Sequence, residues 1–203
     1  MGLKMSDAKS SSDRPQVPEG NHVGICVRIY DLGTQEDEYE GKLKLNRKVR
    51  LGFELPDEKA VFSEDKGEQP FLIDMTLNFS SFERSNFVKT MTAWNGKAPD
   101  DSFDLEEQLG KAAMVNIAHR EVKGKTYANI TSLTPVPKAL LKSIPDPENK
   151  PVYWSVENGR DAAFEKLPDF LKEIIEKSRE FNTESPDDAA ANQKGSEEDP
   201  DWQ

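Results

Sequence analysis

F-L-I-D-M-T-L-N-F-S-S-F-E-R-S-N-F-V-K-T-M-T-A-W-N-G, residues 71–96, contains the change of hydrophobic period that decides the fold. Phe71, Ile73, Met75 and Leu77 fall on every second residue, which is the period of a strand with one face in a core. After Ser80-Ser81 the spacing changes. Phe87, Val88, Met91 and Trp94 recur at helical intervals, and Gly96 stands where a left-handed C-cap belongs. One amphipathic helix is therefore expected directly after a strand at about 71–78.

Upstream, Val23, Ile25, Val27 and Ile29 predict a first strand from Asn21, ended by Leu32-Gly33. Residues 34–46 read as a charged, flexible connection. Val49, Leu51, Phe53 and Leu55 predict a second strand that stops at Pro56, with Lys48, Arg50 and Glu54 on its other face. Downstream, a short helical turn is expected from Phe103 to Leu109, ended by Gly110. Strands at about Ala112–Arg120 and Thr126–Leu133 then flank V-K-G-K, whose Gly124 supplies a hairpin turn. Three strands, a helix and two more strands is the element order of an OB-fold. The expected fold is mainly β: a five-stranded OB-type barrel with a helix between strands three and four, plus a C-terminal helix and a disordered tail. A β-sandwich also accommodates the alternation, whereas an SH3-like barrel would lack the long helix.

The expected organisation is a flexible N-terminal arm at 1–19, the barrel at 20–135, an extended segment and C-terminal helix packed on the barrel at 136–181, and a disordered acidic tail at 182–203. The last helix is placed at Leu167–Ser178, with Phe170, Leu171, Ile174 and Ile175 as its apolar stripe. More than half of the net charge of −11 lies in the last 22 residues, where seven acids face Lys194 alone. The body is only mildly acidic, so any nucleic-acid contact must be local.

Cys26 is the sole cysteine, which excludes an intrachain disulfide and a multi-thiolate metal site and fits a reducing compartment. No run of 18 apolar residues occurs, and the first residues lack the apolar centre of a signal peptide, so no membrane association is expected. Enzyme motifs are missing: there is no G-x-S-x-G, P-loop or G-x-G-x-x-G. His22, His119, Cys26 and Glu121 do not form a recognisable ligand set. The Glu36–Glu40 run could attract a cation, but such runs are ordinarily solvated loops. A non-enzymatic protein with no catalytic residue, metal or cofactor is the expectation.

The strongest local signal is G-K-L-K-L-N-R-K-V-R, residues 41–50, with Lys42, Lys44, Arg47, Lys48 and Arg50 and no acid among them. On an OB-fold this run maps to the loop between strands one and two and onto strand two, beside the usual groove for single strands. The same pattern also suits the wet face of a strand guarding an edge. Lys123 and Lys125, beside His119, Arg120 and Tyr127, would form the opposite wall, and Arg28 would point from strand one. Bases stacked on aromatic rings contribute about 1–3 kcal/mol each. Tyr30, Tyr39, Phe53, Tyr127 and Trp154 are the candidate rings. Phe53 shares the core face, and of the other rings Tyr30, Tyr127 and Trp154 are placed in the expected DNA site.

V-P-E-G at Val17–Gly20, D-L-G-T-Q at Asp31–Gln35, R-K-V-R-L-G-F-E-L-P at Arg47–Pro56 and G-K-T-Y-A-N-I from Gly124 resemble tailed-phage proteins encoded among replication and recombination genes. The resemblance covers about Val17 to Pro147 and is to phage single-stranded DNA-binding proteins with an OB-fold and an acidic tail. It implies protection of replicating or recombining strands in the cytoplasm of an infected bacterial host, with replication or recombination proteins recruited through the tail. Monomer and dimer both remain open. In this chain Glu197, Glu198, Asp199 and Asp201 precede Trp202, which is followed by Gln203, whereas the related tails end on Phe. A protein-binding module that engages a host enzyme without nucleic acid is the alternative. Tail and DNA would compete for one basic groove. Deleting residues 183–203 is expected to tighten DNA binding at low salt, as a gel shift would record; unchanged or weaker binding counts against the competition.

Overall fold

The computed structural model describes residues 15–182. Its strands are β1 (Gly20–Tyr39), β2 (Lys42–Ser63), β3 (Gly67–Asn78), β4 (Ala112–Val122), β5 (Lys125–Thr134) and β6 (Val152–Trp154), and its helices are α1 (Asn86–Asn95), α2 (Asp169–Glu176) and α3 (Arg179–Asn182). The fold is mainly β. Its antiparallel sheet runs in the order β3-β2-β1-β4-β5, and β6 pairs with β1. The sheet is not closed: β3 and β5 end the hydrogen-bonded path without pairing, although their Cα atoms come within 8 Å of each other.

Two strand boundaries differ from expectation. Residues 34–46 are not a loose connection, because β1 and β2 continue toward a tight turn at Glu40-Gly41, where φ is +52° and +73°. Two successive positive φ values match the right-handed twist of paired strands, so charged residues can ride on an extended ribbon. Pro56 lies inside β2 and does not end it. A proline removes one donor but leaves the extended conformation available.

The chain divides into two compact units, the first holding the described residues up to 29 with 50–153, the second 30–49 with 154–182. This division departs from a linear series of domains. A long hairpin carries apolar residues of its own, and the C-terminal segment is the one that covers them.

In the first unit Ile25, Val27, Leu51, Phe53, Leu55, Ile73, Val115, Ile117 and Leu133 are buried. The Phe53 and Trp94 rings meet edge to face at 5.4 Å, and the Trp94 indole N–H donates to Ala112 O at 2.9 Å. Helix α1 forms where the spacing predicts. Ser85 Oγ accepts from Val88 N at its start, and Gly96, at φ +71°, closes its end by donating to Thr92 O. Phe87, Val88, Met91 and Trp94 form its buried face. The expected turn before β4 is a short 3-10 helix at Glu106–Gln108. Cys26 is buried, and burial pushes its thiol up to about 12, far from the thiolate form at neutral pH.

Residues 15–19, expected as part of a flexible arm, are tied down. Gln16 Nε2 donates to Thr126 O at 2.7 Å, Val17 is buried, and Glu19 Oε1 accepts from His119 N. A second tie crosses the outer face of β2. Glu54, expected on the solvent side, is 0% exposed and accepts from Glu148 N, Asn149 N and Asn149 Nδ2 at 2.7–2.8 Å. Buried carboxylates need such donors.

The second unit has its own core of Tyr30, Leu32, Trp154, Val156, Phe164, Leu167, Leu171 and Ile175. Trp154 meets Phe164 at 5.5 Å, and Phe164 stacks on Phe181 at 5.5 Å. Helix α2 presents Leu171 and Ile175 inward, but Phe170, expected in the same stripe, is exposed. A helix of eight residues has two turns, and only one face of it can be inward.

Removing the Glu54 carboxylate strands two backbone donors and one amide. Glu54→Ala is expected to cost about 3 kcal/mol in urea unfolding and to open the chain near residue 148 to limited proteolysis. Retention of wild-type stability would show that water replaces the carboxylate.

Candidate nucleic-acid interface

The site in the first unit begins with two hairpins. At the β4–β5 turn, Lys123 and Gly124 have φ of +51° and +73°, a two-residue turn that sets Val122 opposite Lys125 and Arg120 opposite Tyr127. Directly paired residues share a face, so Arg120, Lys125 and Tyr127 project together. All three are exposed, Tyr127 at 50%. On the other hairpin, Phe62 near the end of β2 is 46% exposed and meets Phe71 edge to face at 5.0 Å.

These elements border an open cleft of about 660 Å³ lined by Arg50, Phe62, Lys66, Asp74 and Tyr127 among others. A neighbouring hollow of about 710 Å³ shares Arg50, Asp74 and Tyr127 and continues between β3 and β5 to Lys89 on α1. Two half-exposed rings and three cations therefore border one groove. Arg50 is not an isolated charge: its Nη2 donates to Asp74 Oδ2 at 3.0 Å. Arg28 lies alongside, since its Cβ would be 3.0 Å from a methyl placed at Gly52. His119 is committed elsewhere, with Nε2 2.7 Å from Val17 O.

In the second unit the basic run is engaged by carboxylates. Arg47 Nη2 lies 2.5 Å from Asp31 Oδ2 and 3.3 Å from Glu157 Oε1. Asp31 is buried and also accepts from Gly33 N at 3.0 Å and Ser155 Oγ at 3.1 Å. The hydrogen bond and charge of Asp31 hold the Arg47 guanidinium above its already high range. Lys48 Nζ lies 2.5 Å from Asp37 Oδ1, and this bond, with help from Asn46, holds the Asp37 carboxyl below the usual range. Burial opposes ionisation of Glu180, but hydrogen bonds from Thr34 N and Oγ1, both 2.7 Å, lower its pKa. At the turn, Lys42 and Lys44 are exposed beside Leu43, which is 72% exposed, and Leu45.

Several expectations change on this geometry. Tyr30 and Trp154 cannot act as stacking platforms, because both are buried in the second core; Trp154 is 0% exposed and its N–H faces Asp161 Oδ1 at 3.3 Å. Tyr30 is on a strand whose both faces are covered, which alternation alone does not reveal. Arg47 serves a buried carboxylate and Lys48 an ion pair, so a substitution at either changes an internal contact as well as the surface charge. Lys42, Lys44, Arg47 and Lys48 belong to the second unit, and Arg28, Arg50, His119, Arg120, Lys123, Lys125 and Tyr127 to the first. Glu197, Glu198, Asp199, Asp201 and Trp202 lie outside the described residues.

Phe62, Lys66 and Lys89 escape sequence reasoning. Pro56 hides the continuation of β2, and Val61 and Phe62, adjacent to each other between Ala60 and Ser63, show no strand alternation that would announce it. Among the described residues no group of three His, Cys, Asp or Glu is placed to hold a metal ion, and no helix is long and apolar enough to cross a membrane. No protein-family model matches the chain, and no curated protein matches it.

Removing the Arg47 partner leaves the Asp31 carboxylate buried with neutral donors alone. Arg47→Ala is expected to destabilise the second unit by about 3 kcal/mol, read as a lower unfolding midpoint followed by tryptophan fluorescence. An unchanged midpoint would mean that Gly33 and Ser155 satisfy Asp31 by themselves.

Proposed function

We propose that the first unit binds single-stranded DNA along the cleft between β3 and β5, with no covalent chemistry. The observation that carries this reading is that Phe62 and Tyr127, two half-exposed rings, border the same open cleft as Arg50 and Lys66. Rings receive unpaired bases and cations receive phosphates, the combination by which single strands are held without sequence preference. Arg120 and Lys125, on the face of Tyr127, extend the basic surface along the β4–β5 hairpin.

The fold supports the same reading. A β1 strand flanked by β2 and β4, a helix between β3 and β4, and β3 approaching β5 at the open seam are consistent with a partly open OB-type barrel. The expected kinship with phage single-stranded DNA-binding proteins then places the protein in replication or recombination within an infected bacterial cytoplasm, with the tail around Trp202 recruiting partner proteins. A protein-binding module is the second reading. Leu43 and Leu45, exposed with Lys42 and Lys44 at the hairpin end, favour it.

Fluorescence anisotropy with a labelled oligo-dT separates the two. Wild-type protein is expected to bind at low salt and to weaken steeply as salt rises. Tyr127→Ala and Phe62→Ala should each weaken binding about 5- to 100-fold, the worth of one stacked base. No binding at low salt would overturn the proposal and leave the hairpin end as the site of interest.

A further inference from the structure

Asp74 is an acid in the middle of a cleft whose proposed ligand is an anion. Its Oδ2 accepts from Arg50 Nη2 at 3.0 Å, and Arg50 Nη1 lies 3.4 Å from Thr76 Oγ1. The side chains of Arg50 and Asp74 are 25% and 19% exposed, so the pair sits in the wall of the cleft and not in bulk water. Its position depends on Gly52. A methyl there would collide with Asp74 Oδ1, so the carboxylate rests against bare backbone of β2 next to the Arg28 stem. Oδ1 is buried and has no hydrogen-bond partner. A desolvated carboxylate oxygen without a donor is a cost to folding. The carboxylate's other oxygen, Oδ2, occupies the Arg50 Nη2 donor.

We infer that Asp74 is a specificity-determining residue, which cancels the charge of Arg50 and so makes the cleft favour unpaired bases over duplex. The inference rests on the proposed single-strand site and adds what that site rejects. Duplex DNA presents about one charge per 1.7 Å of axis, twice the linear density of one of its strands, so duplex draws more on phosphate contacts and loses more when Arg50 is already answered by a carboxylate. Stacking on Phe62 and Tyr127 is open only to bases that are not paired. With the phosphate attraction of Arg50 reduced and the rings retained, affinity depends on what a single strand alone can offer. Discrimination of this kind comes from a repulsive element as much as from an attractive one.

The test compares wild type, Asp74→Asn and Asp74→Asn with Arg50→Ala, using a labelled oligo-dT of about 20 nucleotides and a labelled duplex of equal length. Asp101→Asn, which removes an exposed acid that does not line the cleft, controls for net charge. At about 50 mM salt, Asp74→Asn is expected to tighten duplex binding about tenfold and single-strand binding about threefold or less, and the double variant to lose that gain. Asp74→Ser provides the same comparison if the Asn variant fails to fold. A wild type that binds the single strand, with an unchanged single-strand to duplex ratio in both Asp74 variants, overturns this inference and leaves the proposed function standing. An equal change of ratio in Asp101→Asn does the same. Failure of wild type to bind the single strand at low salt overturns the proposed function and the inference together.

Discussion

Strand β1 is the constraint on which the other elements depend. It is hydrogen-bonded to β2 and β4 and also pairs with β6, so its backbone groups are satisfied by the chain itself. Around its middle both faces are covered as well: Ile25 and Val27 are buried on one side, Cys26 on the other. A strand enclosed in this way has little freedom to slip, because a shift of one residue would exchange every side chain between faces. The β1–β4 register, Gly20 opposite Ile117 through Ile25 opposite Ala112, carries that constraint into the β4–β5 hairpin and so to Tyr127.

Charge follows a second rule. The chain carries 38 acids against 27 Lys and Arg, so a cation near the surface readily meets a carboxylate. Arg47, Lys48 and Arg50, which stand together in a run without acids, are each paired with an Asp distant in sequence: Asp31, Asp37 and Asp74. These pairs are not equivalent. Asp31 is buried and needs its cation, whereas Asp37 and Lys48 are more exposed and contribute little to stability. A basic run in an acidic protein is thus a poor measure of free positive surface. The proposed cleft is accordingly only moderately basic and relies on its two rings.

Much of the fold was legible before any coordinates. The shift from alternate to helical spacing between Leu77 and Phe87 located α1, and Gly96 marked its end because a left-handed cap tolerates no Cβ cheaply. The hairpin around Gly124 was legible for the same reason. The extension of the β1–β2 ribbon through 34–46 was not, since its charged residues carry no apolar period and the Glu40-Gly41 turn resembles any polar loop. Strand alternation places Glu54 on the face opposite Phe53 and Leu55, and nothing local signals the segment at 148–149 that covers it.

The sequence by itself determined the order of the first five strands and of the helix between the third and fourth, the hairpin around Gly124 and the apolar faces of β1, β2, β3 and α1, because these depend on contacts between near neighbours. Only the tertiary structure decided which rings remain open and which cations are already answered. Tyr30 and Tyr127 look alike in their own strands, yet one is buried in a cluster with Trp154 and Leu171 and the other borders a cleft. Burial and ion pairing are set by residues tens to more than a hundred positions away, and local periodicity contains no record of them.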